Sequence, residues 1–110
     1  NPIDIEHKKM EYNKASYGTI GLESLYGALN GVVDTDDLIN CLSHNPRERF
    51  GLEPVVIDKG TRANLALFNP EGTYTFKKEH ILSTSKNAVF LNKKLTGTVY
   101  GSIANNKLTL

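Results

Sequence analysis

The chain has 110 residues, and its 13 basic and 12 acidic side chains give a formal net charge of +1. Hydrophobic residues make up 39% and charged residues 23%, so wholesale disorder is excluded. No apolar run approaches the roughly 18 residues that span a membrane, and near-neutral charge removes the strongest argument for non-specific nucleic-acid binding. A compact globule of this length would have a radius of gyration of about 13 Å.

The first 18 residues are polar and irregular in pattern. Asn1-Pro2-Ile3-Asp4 lacks the basic and then apolar segments of a secretion signal, so we expect none here. The only methionine is Met10. We therefore expect the chain to be a processed product or a piece of a longer protein.

A helical period begins near residue 20. Four side chains fall at the i, i+3, i+4 and i+7 spacing of one apolar helix face: Leu22, Leu25, Tyr26 and Leu29. Gly31 is placed to end this helix. Cys41 lies among apolar residues of the following segment, so we expect a buried, inert thiol. A lone cysteine excludes an internal disulfide and weakly indicates a reducing compartment.

Capping signals mark two more helices. Asp34 precedes an apolar helical pattern and is a good N-cap. Asn45 then Pro46 resembles an N-cap and first helical position, with Glu48 as the capping-box acid and Gly51 at the end. The sequence therefore predicts three helices joined by tight turns over residues 20–51.

The period changes to two after Gly51. Residues 63–68 alternate as a strand, and Asn69-Pro70-Glu71-Gly72 predicts a turn into a short returning strand over residues 73–76. We expect a helical turn at residues 78–82 and a loop with an apolar insert at residues 83–94.

A final hairpin ends the predicted elements. Residues 96–104 alternate again, with Gly97, Val99, Gly101 and Ile103 expected on one face. Asn105-Asn106 tolerates positive φ and suits a two-residue turn, after which residues 107–110 pair back. The predicted fold class is an α+β segment, with helices followed by strands.

Charge differs between the two halves, at −3 over residues 1–52 and +4 over residues 53–110. A group of lysines could form a basic face: Lys77, Lys78, Lys86, Lys93 and Lys94. No aromatic or arginine pattern interleaves them, so a solvated surface is the favoured interpretation.

Local motifs for catalysis are scarce. His7, His44 and His80 are widely spaced and form no His-x-His or His-Glu-x-x-His signature, so none is favoured as a metal ligand. Gly18-Thr19-Ile20-Gly21 precedes a helix and could bind an anion through backbone N–H groups, although a tight turn into the helix is commoner. The motifs alone indicate only a helix-then-sheet segment.

Longer segments carry a family resemblance. Residues 1–11 and 17–23 resemble the stretch that follows the last metal-site aspartate of dihydroorotases. Asn45-Pro46, residues 50–52 and residues 60–70 resemble the C-terminal signature of cyclic amidohydrolases. Residues 83–97 are similar to the dihydroorotase tail. The resemblance covers nearly the whole chain.

The resemblance implies an architecture. Dihydroorotases have a TIM barrel with a binuclear zinc site and a small β-sandwich made from both chain ends. Residues 1–52 would be the end of the barrel, including a loop on its active-site face, and residues 53–110 the C-terminal part of the sandwich. Active sites of such barrels lie at the C-terminal ends of the strands.

The resemblance also implies that the chemistry lies outside this chain. The family's histidine ligands and bridging lysine would lie upstream, and the catalytic aspartate would come just before Asn1, in a Thr-Asp-His-Asn-Pro-type run. No catalytic residue and no metal ligand is therefore expected in this chain. We expect zinc in the intact enzyme, none bound by this segment, and no activity of the segment alone.

The residues carried over from the family are few. Tyr17 and Gly18 match an aromatic-glycine pair that contacts substrate, expected here through main-chain groups. Ile3 stands where many relatives have a histidine that binds the substrate carboxylate, which implies either a different cyclic amide substrate or carboxylate-binding groups elsewhere in the enzyme. Asn64 replaces the usual aspartate at a strand edge, a structural position.

The leading hypothesis is thus the C-terminal part of a cytoplasmic zinc hydrolase that interconverts dihydroorotate and N-carbamoyl-aspartate in pyrimidine synthesis. The alternatives are another cyclic amidohydrolase, of hydantoinase or allantoinase type, and a non-catalytic scaffold or assembly module. The expected partner is a small cyclic amide, with no nucleic acid and no membrane. We also expect a homo-oligomer or a self-associating fragment, because a barrel end without its barrel exposes apolar faces.

Overall fold

Two helices precede a three-stranded antiparallel sheet in the computed structural model, which describes residues 5–110. This order confirms the predicted α+β class. The predictions for Asn1–Asp4, including the substitution at Ile3, lie outside the described residues. No helix in the described part is both long and apolar enough to cross a membrane.

The first helix is shorter and packs differently than its leucine spacing predicts. A 3₁₀ turn at Ile5–Lys8 precedes it in the chain, and a second at Leu22–Ser24 leads into α1, Leu25–Leu29. Leu22 is 81% exposed and Leu25 39% exposed, so the predicted apolar face is wrong for these two side chains. The buried positions are instead Ser24 and Gly27, whose small size lets the helix lie directly against the sheet.

The second helix begins as predicted. Asp34 caps α2, Thr35–Ile39, because its carboxylate accepts a hydrogen bond from the Asp37 backbone N–H at 3.0 Å. A π-helical turn, Asn40–His44, continues from α2. It leads directly into α3, Asn45–Arg49. The three predicted helices are therefore two, one of them continuous over residues 35–49.

The π turn explains why the predicted break at Asn45-Pro46 is wrong. Asn45 is helical rather than an N-cap, and its N–H donates to the carbonyl of Asn40, five residues earlier. This wider turn lies immediately before Pro46, where an α-helical carbonyl would meet the proline ring. The helix ends as predicted, since Gly51 has φ +62° and donates to the Glu48 carbonyl.

The exposed Cys41 corrects the expectation of a buried thiol. It lies in the π turn, whose five residues include none that is buried. Apolar neighbours in sequence misled the prediction, because the helix buries only Leu38 of its apolar residues.

The sheet has the order β1-β2-β3, with β1 at Leu65–Thr75, β2 at Lys94–Ala104 and β3 at Lys107–Thr109. The hairpin between β2 and β3 is confirmed, with φ +51° at Asn105 and +59° at Asn106. A 3₁₀ turn at Lys78–His80 and the irregular segment that follows it also agree with the predictions.

The predicted turn at Asn69-Pro70-Glu71-Gly72 is instead a bulge inside β1. Asn69 pairs with Thr98 and Thr73 with Thr96, so both halves of β1 pair with the same strand. The extra residues bend the strand without reversing it, and the returning strand predicted at residues 73–76 is wrong. A second irregularity in the pairing lies between Leu67 and Phe68 of β1, which pair with Gly101 and Val99 of β2. The extra residue in β2 interrupts the alternation of side chains that was expected along this strand.

The core is small and lies between α1, the sheet and the loop after β1. Its buried cluster comprises Ile20, Phe76, Ile81 and Leu95. The radius of gyration is 16.6 Å, above the roughly 13 Å of a compact globule of this length. The chain exposes 8770 Å², whereas a compact monomer of 12.2 kDa exposes about 6,000 Å².

The lysines considered as a basic face do not share one environment. Lys86 is half-buried and donates to the carbonyls of Ile81 (2.7 Å) and Ser83 (2.9 Å). Lys77 lies 3.9 Å from the Glu79 carboxylate. The other four lysines are exposed, in agreement with the favoured interpretation of a solvated surface, whereas Lys86 departs from it.

Candidate functional site

The segment before α1 carries the residues that the resemblance assigns to substrate. Tyr17 is 81% exposed, so its ring is available to a ligand. Gly18 has φ +110°, a backbone conformation that favours glycine. Their assignment to substrate binding stays a prediction.

A loop close to the C-terminus holds this segment in place. Ile20 and Ala88 form a parallel β-bridge, and the Ile20 N–H donates to the Asn87 carbonyl at 3.0 Å. The Thr19 hydroxyl donates to the same carbonyl at 2.9 Å and accepts from the Val89 N–H at 3.1 Å. Two segments almost 70 residues apart therefore form one unit, which we call the loop clamp (residues 18–20 and 87–89).

Glu23 makes a second connection between the same regions. Its Oε1 accepts from the backbone N–H of Ser83 at 2.8 Å and from the Ser83 hydroxyl at 2.5 Å. These bonds, the hydroxyl's above all, hold the pKa of Glu23 below its ordinary value, although burial acts in the opposite direction. The side chain is therefore a carboxylate at neutral pH.

An open groove lies between these two connections. It has a volume of about 340 Å³ and is lined by residues 19–23, 83 and 84. The groove has the volume of a small-molecule site and begins at Thr19, directly after Tyr17 and Gly18, which do not themselves line it. A larger cavity, about 460 Å³, has a different lining that includes Arg47 and Arg62.

A further cavity of about 370 Å³ lies between α1 and the sheet, with Tyr26, Tyr74 and His80 in its lining. Burial raises the pKa of both tyrosines. Within the described residues, the Tyr26 hydroxyl and Glu23 Oε2 are buried without a hydrogen-bond partner. Such atoms are usually satisfied by water or by another part of the protein.

The histidines do not form a metal site. His80 Nδ1 accepts the Lys77 backbone N–H at 2.9 Å, and its ring stacks on Phe76 at 5.9 Å between centroids. Within residues 5–110, no three His, Cys, Asp or Glu side chains cluster closely enough to hold a metal ion. The donor set of a zinc centre is not present in this part of the chain.

Comparison with known proteins identifies the relatives of this chain. No protein-family model matches it. A protein of Caldicellulosiruptor saccharolyticus named dihydroorotase is 39% identical over 97% of the chain, and one of Clostridium acetobutylicum is 35% identical over 97%. A dihydroorotase of Chlorobaculum tepidum is 32% identical over 94%.

The chain is a relative of the dihydroorotases. It spans about a quarter of their length, since the aligned region covers 26%, 27% and 25% of these three proteins. The resemblance to dihydroorotases seen in the sequence is thereby confirmed.

Sequence reasoning missed the loop clamp. Thr19 and Asn87 each lie within a segment of resemblance, but the only role considered for either was anion binding by backbone N–H groups of residues 18–21. Nothing in local periodicity connects Asn87 with Gly18, because hydrogen bonds between irregular segments leave no repeating pattern. A signal was present in the loop prediction for residues 83–94, since long irregular loops often carry function.

Proposed function

We propose that this chain is the C-terminal portion of a dihydroorotase-like zinc amidohydrolase, whose intact form interconverts dihydroorotate and N-carbamoyl-aspartate. The observation that carries the proposal is the alignment of almost the whole chain with several proteins named dihydroorotase. This region would be a quarter of the enzyme, with the chemistry completed by the remainder.

Residues 1–52 form the end of the catalytic barrel in this proposal, and residues 53–110 the C-terminal part of a β-sandwich. The observed order of helices before strands supports this division. The exposed area supports it too, because roughly 2,700 Å² beyond that of a compact monomer is available for contact with the rest of the enzyme.

The chain's own contribution is to shape the substrate pocket rather than to perform the reaction. Tyr17 and Gly18 contact substrate, and the groove of residues 19–23, 83 and 84 borders it. Zinc does not fit the described residues and is held elsewhere in the enzyme. The intact protein acts in the cytoplasm as a homo-oligomer, without nucleic-acid or membrane partners.

Two alternatives each rest on an observation. Ile3 cannot donate a hydrogen bond or carry charge, which favours a cyclic amide without a carboxylate, as in a hydantoinase or allantoinase. The absence of a metal-binding group in residues 5–110 favours a non-catalytic scaffold or assembly module.

A substrate panel separates these functions. The longest polypeptide encoded by the gene is purified with zinc and assayed with dihydroorotate, dihydrouracil, hydantoin and allantoin. Ring opening of dihydroorotate with the highest kcat/KM supports the proposal, whereas preference for a neutral ring supports the first alternative. No turnover of any ring and no stoichiometric zinc would support a scaffold. The 110-residue chain serves as the control and should be inactive.

A further inference from the structure

Asn87 connects the loop after β1 to residues 18–20 through its side-chain amide and its backbone carbonyl. Its side-chain Nδ2 donates to the Gly18 carbonyl oxygen at 3.1 Å. Its backbone carbonyl accepts from the Ile20 N–H and from the Thr19 hydroxyl. One residue therefore contacts three consecutive residues that lie nearly 70 positions earlier.

The bond to Gly18 restrains a peptide whose other restraints, among the described residues, lie only on its C-terminal side, in the bonds of Thr19 and Ile20 to the loop. Gly18 has φ +110°, and a glycine populates both signs of φ readily. The peptide between Gly18 and Thr19 is planar and trans, so its C=O and N–H point in opposite directions. Fixing the carbonyl on Asn87 therefore also fixes the direction in which the Thr19 N–H points.

The side chain of Asn87 is suited to this role. It is half-buried, and neutral amide hydrogen bonds of this kind contribute about 0.5–1.5 kcal/mol each. The backbone bridge between Ile20 and Ala88 holds the two segments together independently of that side chain. Removing the amide should therefore loosen the Gly18 peptide while leaving the loops joined.

We infer that Asn87 is a positioning residue, which orients the Gly18–Thr19 peptide for contact with the substrate. The inference rests on the proposed function, because substrate contact at Tyr17 and Gly18 belongs to that proposal. Asn87 acts through Gly18 and does not itself touch the substrate. Its loss should weaken substrate binding more than it slows the reaction.

The test uses the full-length protein with zinc and dihydroorotate. Asn87→Ala removes the donor, and Asn87→Asp keeps the size of the side chain while offering only acceptor oxygens to the Gly18 carbonyl. Both should raise KM about 3- to 10-fold with kcat within about twofold of wild type. Zinc content and the thermal midpoint are measured in parallel; zinc content should stay unchanged, and the midpoint should fall by no more than a few degrees, as expected for the loss of one hydrogen bond.

Asn64→Ala is the matched control. Asn64 is an exposed asparagine just before β1 and lies outside the loop clamp, so its KM and kcat should equal those of wild type.

An unchanged KM in both Asn87 variants overturns the inference, as does a fall in kcat at constant KM. Loss of folding in both variants would assign Asn87 to stability and overturn it as well. If wild type does not open dihydroorotate, the proposed function and this inference fail together.

Discussion

Gly97 lies where β2 passes close to α1 and to the bulge of β1. A Cβ at this position would be 2.7 Å from Tyr26 Cε1, 2.8 Å from Asn30 Nδ2 and 2.9 Å from the Asn69 carbonyl oxygen. Its φ of +87° adds a conformational cost of about 1–2 kcal/mol for any residue with a Cβ. Overpacking adds about 1–3 kcal/mol, so we expect Gly97→Ala to destabilise this region by about 2–5 kcal/mol.

Gly72→Ala separates the two contributions. Gly72 has a similar φ, +90°, but nothing lies within 4 Å of the added Cβ, so only the conformational cost of about 1–2 kcal/mol applies. Hydrogen–deuterium exchange of β2 peptides is measured for both variants in the full-length protein. Exchange in Gly97→Ala should be about 5- to 160-fold faster than in Gly72→Ala.

Equal exchange in the two variants would refute the reasoning, because the close approach of α1 to Gly97 would then not exist. Faster exchange in Gly72→Ala would refute it more strongly. The comparison is direct, since both variants add one methyl group at a positive-φ glycine.

Three further predictions concern single residues, and a fourth the whole chain. The lowered pKa of Glu23 means that its carboxylate stabilises the fold above its ordinary pKa of 4.5, and that this stability is lost as pH falls through the lower folded pKa. Thermal midpoints of wild type should therefore fall more steeply below about pH 5 than those of Glu23→Gln. Asp34→Ala should cost about 1 kcal/mol in urea unfolding, because the α2 cap is lost. Cys41 of the 110-residue chain should react with a thiol reagent as quickly in buffer as in denaturant. The same chain should self-associate in sedimentation experiments, because side chains such as Leu22 are exposed.

Each of these predictions has an outcome that contradicts it. Parallel pH curves for wild type and Glu23→Gln would mean that the bonds to Ser83 do not favour the charged carboxylate. Asp36 lies in the first turn of α2 without a capping bond, so equal losses in Asp34→Ala and Asp36→Ala would exclude a specific cap. Slow labelling of Cys41 in buffer would indicate a buried thiol, and a monomer at high concentration would contradict self-association.

Local signals predicted those elements whose determinants lie within a few residues. The Asp34 cap depends on one side chain and a backbone N–H three positions later. The hairpin at Asn105-Asn106 depends on two residues that tolerate positive φ. In both cases the sequence contains the whole physical cause.

The wrong predictions share a dependence on contacts made elsewhere. Asn69-Pro70-Glu71-Gly72 has turn chemistry, but pairing of both flanking segments with β2 makes it a bulge. Asn30, at the end of α1, stabilises that bulge by donating to the carbonyls of Pro70 (2.9 Å) and Thr96 (3.2 Å). No pattern within residues 69–72 could reveal this partner.

The helix predictions failed for a related reason. The leucine spacing correctly indicated a helix near residues 22–29, but α1 packs through Gly27 against Leu95 rather than through Leu22. An apolar face identifies surface that needs covering, not which partner covers it. In the proposed enzyme, the rest of the polypeptide would cover Leu22.

The candidate site was predictable only in part. Tyr17 and Gly18 were selected by resemblance, and the structure adds the loop clamp that holds Gly18 through Asn87. Similarity to a family is recognised in runs of consecutive residues. It therefore included both segments of the loop clamp without indicating that they are in contact. Their meeting depends on the three-dimensional packing of the loop after β1.

Reading the gene upstream of Asn1 tests the central claim, that this chain is the C-terminal part of a dihydroorotase-like enzyme. The account predicts codons for an aspartate and a histidine immediately before Asn1, with a His-x-His pair farther upstream in the same reading frame. An open reading frame that begins next to Asn1, or one that extends upstream without these residues, would contradict the claim.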